Sequence, residues 1–206
     1  MNPEKEPQEG TRIGLVARTQ FYVSLWYNKL LAQTLSPLSG WTWWNRVDQY
    51  VLIGALPDET LVKELKETVN LKYVVNMCKE FDELSPLYKK LNITQLRLET
   101  EDFTLPTLEN IRVGIEYIEK CVKQADGTIY VHCKAGRGRS ATLLVCYLLS
   151  HYDLTPEEAQ LQLIKSRAQV DKFIFRNEVV QKYYEIVLEQ GVSRAPFKEF
   201  SNENVL

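Results

Sequence analysis

Residues 129–140 read IYVHCKAGRGRS: three apolar residues, a histidine, a cysteine, then a loop of glycines and cations. Ile129, Tyr130 and Val131 have the composition of a buried strand, and residues 141–149 (ATLLVCYLL) that of a helix too apolar to lie on a surface. The loop between them therefore sits at a helix N-terminus, where the helix dipole adds partial positive charge. Gly136 and Gly138 let the backbone curl so that successive N–H groups point inward, which makes an anion site. Cys133 enters that field directly. A thiol at a helix N-terminus among cations has a lowered pKa and acts as a thiolate nucleophile near neutral pH. Arg139, further along the same loop, can grip two phosphate oxygens with its planar fork. The stretch reads as a phosphate cradle with a nucleophile inside. The plain alternative is a buried structural cysteine beside a loop of solvated cations.

With 206 residues, 45% of them hydrophobic, the chain is long enough to bury a sizeable core in one globular domain. A formal net charge of -2 names no polyanionic partner, so nucleic acid is not expected; a monomer is the expected state. Cys78, Cys121, Cys133 and Cys146 are scattered without paired spacing, which argues against a disulfide framework or a zinc site and for a reducing compartment. No apolar run reaches the length of a membrane span.

Working outward, residues 1–10 are polar and read as a disordered tail. Residues 11–43 contain no acidic side chain and interleave Arg12, Arg18 and Lys29 with Phe21, Tyr22, Leu25, Trp26, Leu30 and Leu31. Such a basic amphipathic segment suits targeting, an interfacial anchor, or a helix packed on the domain's own core. The catalytic domain is expected over residues 44–191, with a loose tail over 192–206. Within it, residues 50–53, 72–77 and 93–98 read as strands, and Asp58 as the cap of a helix over 59–67. A charged turn occupies 78–83. Residues 99–106 (ETEDFTLP) form a carboxylate-bearing loop before a long amphipathic helix over 107–124. Thr155-Pro156-Glu157-Glu158 opens another helix with a capping box, and a last one over 175–190 ends at Gly191. Strands alternating with helices, and a functional loop at a strand's C-terminal end, predict an α/β fold: a central, mostly parallel sheet flanked by helices.

With His132 before the cysteine and Ser140 after the arginine, HCKAGRGRS resembles the signature of the cysteine-dependent protein tyrosine phosphatase superfamily, dual-specificity branch. The likeness extends over nearly all of residues 18–190. RTQFYVSLWY (18–27), WWNRVDQYVLIGALP (43–57), QLRLETED (95–102), HCKAGRGRSAT (132–142) and TPEEA (155–159) resemble the family of mitochondrial phosphatidylglycerophosphate phosphatases. The resemblance implies a dual-specificity-type fold and no metal or other cofactor. It implies an anionic phospholipid substrate and peripheral membrane association. The reaction it implies takes the terminal phosphate from phosphatidylglycerophosphate, a step towards cardiolipin at the matrix side of the inner mitochondrial membrane.

Expelling an alkoxide requires a general acid. Family members supply an aspartate from a loop upstream of the cysteine, which here is Asp102, with Glu101 and then Glu99 as rivals. The implied mechanism runs through a phosphocysteine. Cys133 attacks, Arg139 and the loop from Lys134 through Ala135, Gly136, Arg137 and Gly138 hold the phosphate, and Ser140 helps the thiolate leave. His132 orients and tunes Cys133. Lys134 and Arg137 add cations beyond Arg139, which favours a substrate with a second anionic group.

Two departures stand out. Gly138 replaces the family's usual serine between the two loop arginines, and CKAGRGR also resembles the loop of tensin-homologue phosphoinositide phosphatases. The family's acidic stretch survives only in part, as Glu80, Asp82 and Glu83 after Cys78. A phosphoinositide phosphatase and a dual-specificity protein tyrosine or serine/threonine phosphatase are therefore the alternatives. A dead phosphate-binding module fits poorly with Cys133, Arg139 and Asp102 all present. Cys78 is a candidate partner for Cys133 in an oxidative disulfide.

Overall fold

The computed structural model describes residues 42–191 and 194–197. The expectations for residues 1–10, for nearly all of 11–43 and for most of the chain after Gly191 fall outside them. The described chain folds as β1 (Trp44–Arg46), β2 (Val51–Gly54), α1 (Glu59–Thr68), β3 (Leu71–Cys78), α2 (Ser85–Lys90) and β4 (Thr94–Thr100), followed by α3 (Leu108–Gln124), β5 (Thr128–His132), α4 (Arg139–His151), α5 (Pro156–Ser166), a 3-10 turn (Ile174–Arg176) and α6 (Glu178–Gln190).

The five strands form one sheet in the order β1-β2-β5-β3-β4. The β2–β5, β5–β3 and β3–β4 pairs are parallel, and only β1 runs antiparallel, on β2. The expected α/β class with a mostly parallel sheet is what the chain adopts. Strand β5 is buried along its whole length, as a strand covered on both faces must be, and its apolar run reflects this. Side chains alternate between two cores. Leu52, Val74 and Tyr130 join α1 and α2 residues on one face. Ile53, Val75, Ile129 and Val131 join the larger cluster of α3, α4, α5 and α6 on the other.

Helix α4 is buried at every position from Arg139 to Leu149. That explains its unbroken apolar composition, each such side chain contributing about 1.5–3 kcal/mol relative to exposure. Asp48 pins this helix to the sheet. It lies in the β1–β2 turn, accepts hydrogen bonds from the Tyr50 and Val51 amides at 2.9 Å, and receives the Tyr147 hydroxyl at 2.8 Å.

The helix starts follow their caps. Asp58 accepts from the Leu61 amide at 2.9 Å, and Thr107 from the Asn110 amide at 3.1 Å. Thr155 and Glu158 close the full capping box, and Gly191 ends α6 in the left-handed conformation at φ 58°. Three details differ from expectation. The lead-in at Trp44 is itself a short strand, and the stretch between the second and third expected strands holds α2. The last helix is broken, with extended backbone at Asn177 separating the 3-10 turn from α6. Trp43 and Trp44 are half-buried; the Trp43 indole donates to the Leu56 carbonyl at 3.2 Å. Both therefore serve the domain's own packing.

Candidate active site

Residues 133–138 link the C-terminal end of β5 to the first turn of α4, so the loop hangs from a fully buried strand and a fully buried helix. Its tight turn needs glycine at one point. Gly136 has φ +67°, and a Cβ there would lie 2.5 Å from the Gly54 carbonyl carbon and oxygen at the end of β2. Gly138 is different. Its φ is −103°, and a Cβ would meet only one Asp171 oxygen, at 3.3 Å. Replacing Gly138 with the family's serine is therefore expected to leave kcat/KM within roughly twofold of the parent, the scale of a surface change of about 0.5 kcal/mol. Gly136→Ala assayed beside it should lose most activity. A large loss in Gly138→Ser would mean the glycine has a conformational role that its dihedral angles do not reveal.

Cys133 is buried at 3% exposure. Burial pushes its thiol up, but the Arg139 charge, the Ser140 hydroxyl and the backbone amides of Ser140 and Arg137 outweigh it, and the net direction is down. The Ser140 hydroxyl lies 3.3 Å from Sγ, aimed as a donor. His132 is fully enclosed and stacks on the Tyr130 ring with centroids 5.6 Å apart. Burial first, then the Arg139 charge, carry its pKa down to about 3 against the pull of the Cys133 carbonyl. The imidazole is thus neutral at physiological pH. Its Nδ1 lies 3.4 Å from that carbonyl, and its buried Nε2 has no partner among the described residues.

Arg139 stands in the first turn of α4 with its guanidinium inside the cleft. Nη1 donates to Glu80 Oε2 at 3.0 Å and to the Thr100 carbonyl at 2.8 Å. Nη2 donates to Glu80 Oε1 and to Asp102 Oδ1, both at 2.9 Å. Burial works against its charge, and the Glu80 hydrogen bonds together with the Cys133, Cys78 and Glu80 charges outweigh that, so its pKa is raised.

Asp102 bridges two cations, with Oδ2 accepting from Lys134 Nζ at 2.6 Å. Its rivals face elsewhere. Glu101 pairs with Lys79 at 2.8 Å and Glu99 with Arg97 at 3.0 Å. Of the three carboxylates in the stretch, Asp102 is the one brought to Cys133's loop. Lys134 is 7% exposed and belongs to the cleft. Arg137 instead turns outward and fastens to the following segment, donating to the Gln169 carbonyl at 2.9 Å and to Asp171 at 3.1 Å.

Glu80 is the participant that sequence reading left without a role. It lies in the partly preserved acidic stretch after β3, and only the parallel pairing of β3 with β5 brings it to Arg139. All four cysteines are free thiols. Cys78 is buried near the site, and burial outweighs the opposing Arg139 charge and drives its thiol up, the reverse of Cys133.

A glycine-bearing loop between strand and helix, a lowered thiol, an arginine fork and a facing carboxylate are the parts of a phosphoester-cleaving site. Residues 53–184 match the family described as dual specificity phosphatase, catalytic domain. The chain belongs to the dual-specificity phosphatase family. Among relatives of this dual-specificity phosphatase, the Homo sapiens protein named phosphatidylglycerophosphatase and protein-tyrosine phosphatase 1 is 32% identical, with 88% of this chain and 92% of that one covered. The Arabidopsis thaliana phosphatidylglycerophosphate phosphatase PTPMT2 is 31% identical over 94% of this chain and 83% of its own. A crystal structure of PTPMT1 in complex with PI(5)P superposes with a TM-score of 0.66 at 31% identity, covering 73% of this chain and 100% of that one.

Proposed function

We propose that this dual-specificity phosphatase is a lipid phosphatase that hydrolyses phosphatidylglycerophosphate to phosphatidylglycerol and inorganic phosphate. The observation that carries this reading is the likeness, over most of both chains, to relatives named for that activity. The cleft agrees with it, because Lys134 adds a second buried cation beside Arg139, more than one phosphomonoester on a neutral carrier needs.

The reaction runs as two displacements. The Cys133 thiolate attacks phosphorus, the bond to the leaving oxygen breaks, and the Asp102 carboxylic acid protonates that oxygen. The product is a phosphocysteine. Water then attacks phosphorus, Asp102 takes its proton, and the Sγ–P bond breaks with the Ser140 hydroxyl stabilising the departing thiolate. Arg139 and the inward N–H groups of the loop hold the equatorial oxygens as charge builds on them. An arriving phosphate competes with Asp102 for Arg139 and Lys134, which frees the carboxyl for proton transfer. Glu80 and the Thr100 carbonyl meanwhile keep the guanidinium plane fixed. His132, neutral and buried, supports Cys133 by position and moves no proton.

We place the enzyme in mitochondria, at the matrix side of the inner membrane, supplying phosphatidylglycerol for cardiolipin. This rests on the family resemblance and on the basic amphipathic composition of residues 11–43. No helix among the described residues is long and apolar enough to cross a membrane, which suits peripheral attachment through that segment. A phosphoinositide substrate is the second reading, favoured by the PI(5)P complex of the PTPMT1 structure.

Phosphate release from phosphatidylglycerophosphate, phosphatidylinositol phosphates and a phosphotyrosine peptide, measured side by side with a metal chelator present, separates these. A preference for phosphatidylglycerophosphate of about a hundredfold, roughly 2.7 kcal/mol in transition-state binding, is expected. A higher kcat/KM on a phosphoinositide would transfer the assignment to that substrate.

A further inference from the structure

Arg167 caps the C-terminal end of α5 and is 1% exposed. Its partners among the described residues are all neutral oxygens. Nε donates to the Gly136 carbonyl at 2.9 Å and Nη2 to the Ala135 carbonyl at 3.1 Å. Nη1 donates to the Thr42 carbonyl at 3.0 Å and to Asn45 Oδ1 at 2.8 Å. A buried cation satisfied by dipoles alone is costly to fold around. The ionisable groups whose charge reaches it are Tyr130, Cys133 and Arg137. Burial drives the Tyr130 hydroxyl well up, so it stays neutral, and Arg137 is a cation. Of these three, Cys133 is the group that carries a negative charge when it reacts, as a thiolate.

The two loop carbonyls give this arrangement a direction. A peptide unit is planar and trans, so its carbonyl and the N–H of the next residue point opposite ways. Holding the Ala135 carbonyl outward turns the Gly136 N–H inward, and holding the Gly136 carbonyl outward does the same for the Arg137 N–H. The Arg137 amide is one of the two backbone groups that hydrogen-bond Cys133.

We propose that Arg167 is a positioning residue of the phosphate loop: it aims the Gly136 and Arg137 amides at the Cys133 thiolate and the bound phosphate, and sets a fixed positive charge behind them. The inference rests on the Cys133 chemistry proposed above. Through Thr42 and Asn45 the same guanidinium ties the loop to the segment that leads into β1. Loop and sheet edge are therefore joined through one side chain.

The test is the pH dependence of Cys133 alkylation by iodoacetamide, followed by mass spectrometry of the Cys133 peptide in the full chain. Arg167→Met keeps the stem and removes both charge and fork. Its alkylation midpoint should rise by about one pH unit, tenfold in the thiolate equilibrium, and kcat/KM on p-nitrophenyl phosphate should fall at least tenfold. Arg167→Lys keeps the charge but cannot hold two carbonyls at fixed angles, and should show a smaller rise in the same direction. Thermal unfolding followed by circular dichroism establishes that each variant is folded, and where Arg167→Met is not, Arg167→Lys decides alone. A parental midpoint in either folded variant overturns the proposal. Alkylation involves no phosphoester, so it reports on Arg167 whichever substrate the enzyme takes.

Discussion

Cys133→Ser should abolish turnover of every phosphoester, by about 10⁴-fold or more, the scale on which loss of a nucleophile acts. The substitution exchanges sulfur for oxygen in the same buried position, where the field of Arg139, Ser140 and the loop amides now lowers a thiol. A serine hydroxyl starts from a far higher pKa, and the buried His132, its pKa down to about 3, is too weak a base to take its proton. The cradle itself is left whole. Arg139 keeps Glu80 and the Thr100 carbonyl, so inorganic phosphate and intact lipid should bind as well as before. Isothermal titration with phosphate, paired with single-turnover assays, measures both halves. Turnover above a few per cent of the parent would remove Cys133 from the mechanism, and loss of binding along with turnover would show that the sulfur shapes the cradle.

Asp102→Ala is expected to divide substrates by their leaving groups. On an alkyl phosphate, where the departing alkoxide must be protonated as the bond breaks, kcat should drop by about 10²–10⁴-fold. On an activated aryl phosphate, whose phenolate leaves unaided, the loss should stay under roughly tenfold. The ion pairs add a second signature. Asp102 occupies Lys134 at 2.6 Å and Arg139 at 2.9 Å, so removing it relieves competition for both cations and phosphate should bind no more weakly than to the parent. Equal losses on the two substrates would point away from proton transfer. In that case a Glu101→Ala variant, now paired with Lys79, would be the next to assay.

The parts of this site that could be read in the chain are those made by neighbours in sequence. Strand, cysteine, glycine turn, arginine and helix follow one another within residues 129–149, and local patterning specifies each. Caps were equally readable, because Asp58, Thr107 and the Thr155–Glu158 pair act within one turn of helix. What escaped notice acts across distance. Glu80 reaches Arg139 only because β3 and β5 are adjacent, and Arg167 reaches Ala135 and Gly136 only because α5 packs back on α4. Neither contact leaves a periodic trace in the sequence. Strand β1 and helix α2 were missed for another reason: at three and six residues they are shorter than the periods that reveal amphipathic elements. Arg137 shows a different limit, since its amide faces Cys133 while its side chain does not. Counted among the phosphate-facing cations on sequence grounds, it spends its fork on Gln169 and Asp171, a choice that composition cannot disclose.

Strand order bears on how the protein is made. β2 and β3 never touch; β5 lies between them and bonds to both. As the chain leaves the ribosome N-terminus first, β1 with β2 and β3 with β4 emerge as two separate ribbons, each with an open parallel edge. Those edges stay unpaired until residues 128–132 arrive. The strand that closes the gap is the one that carries Cys133 on its end. Reactivity thus follows completion of the sheet: a chain truncated before residue 128 lacks both the keystone and Cys133, and the Arg139 and Ser140 that lower that thiol emerge only after β5. The cost falls on the waiting halves, which makes the interval before β5 emerges the point at which a chaperone would matter most.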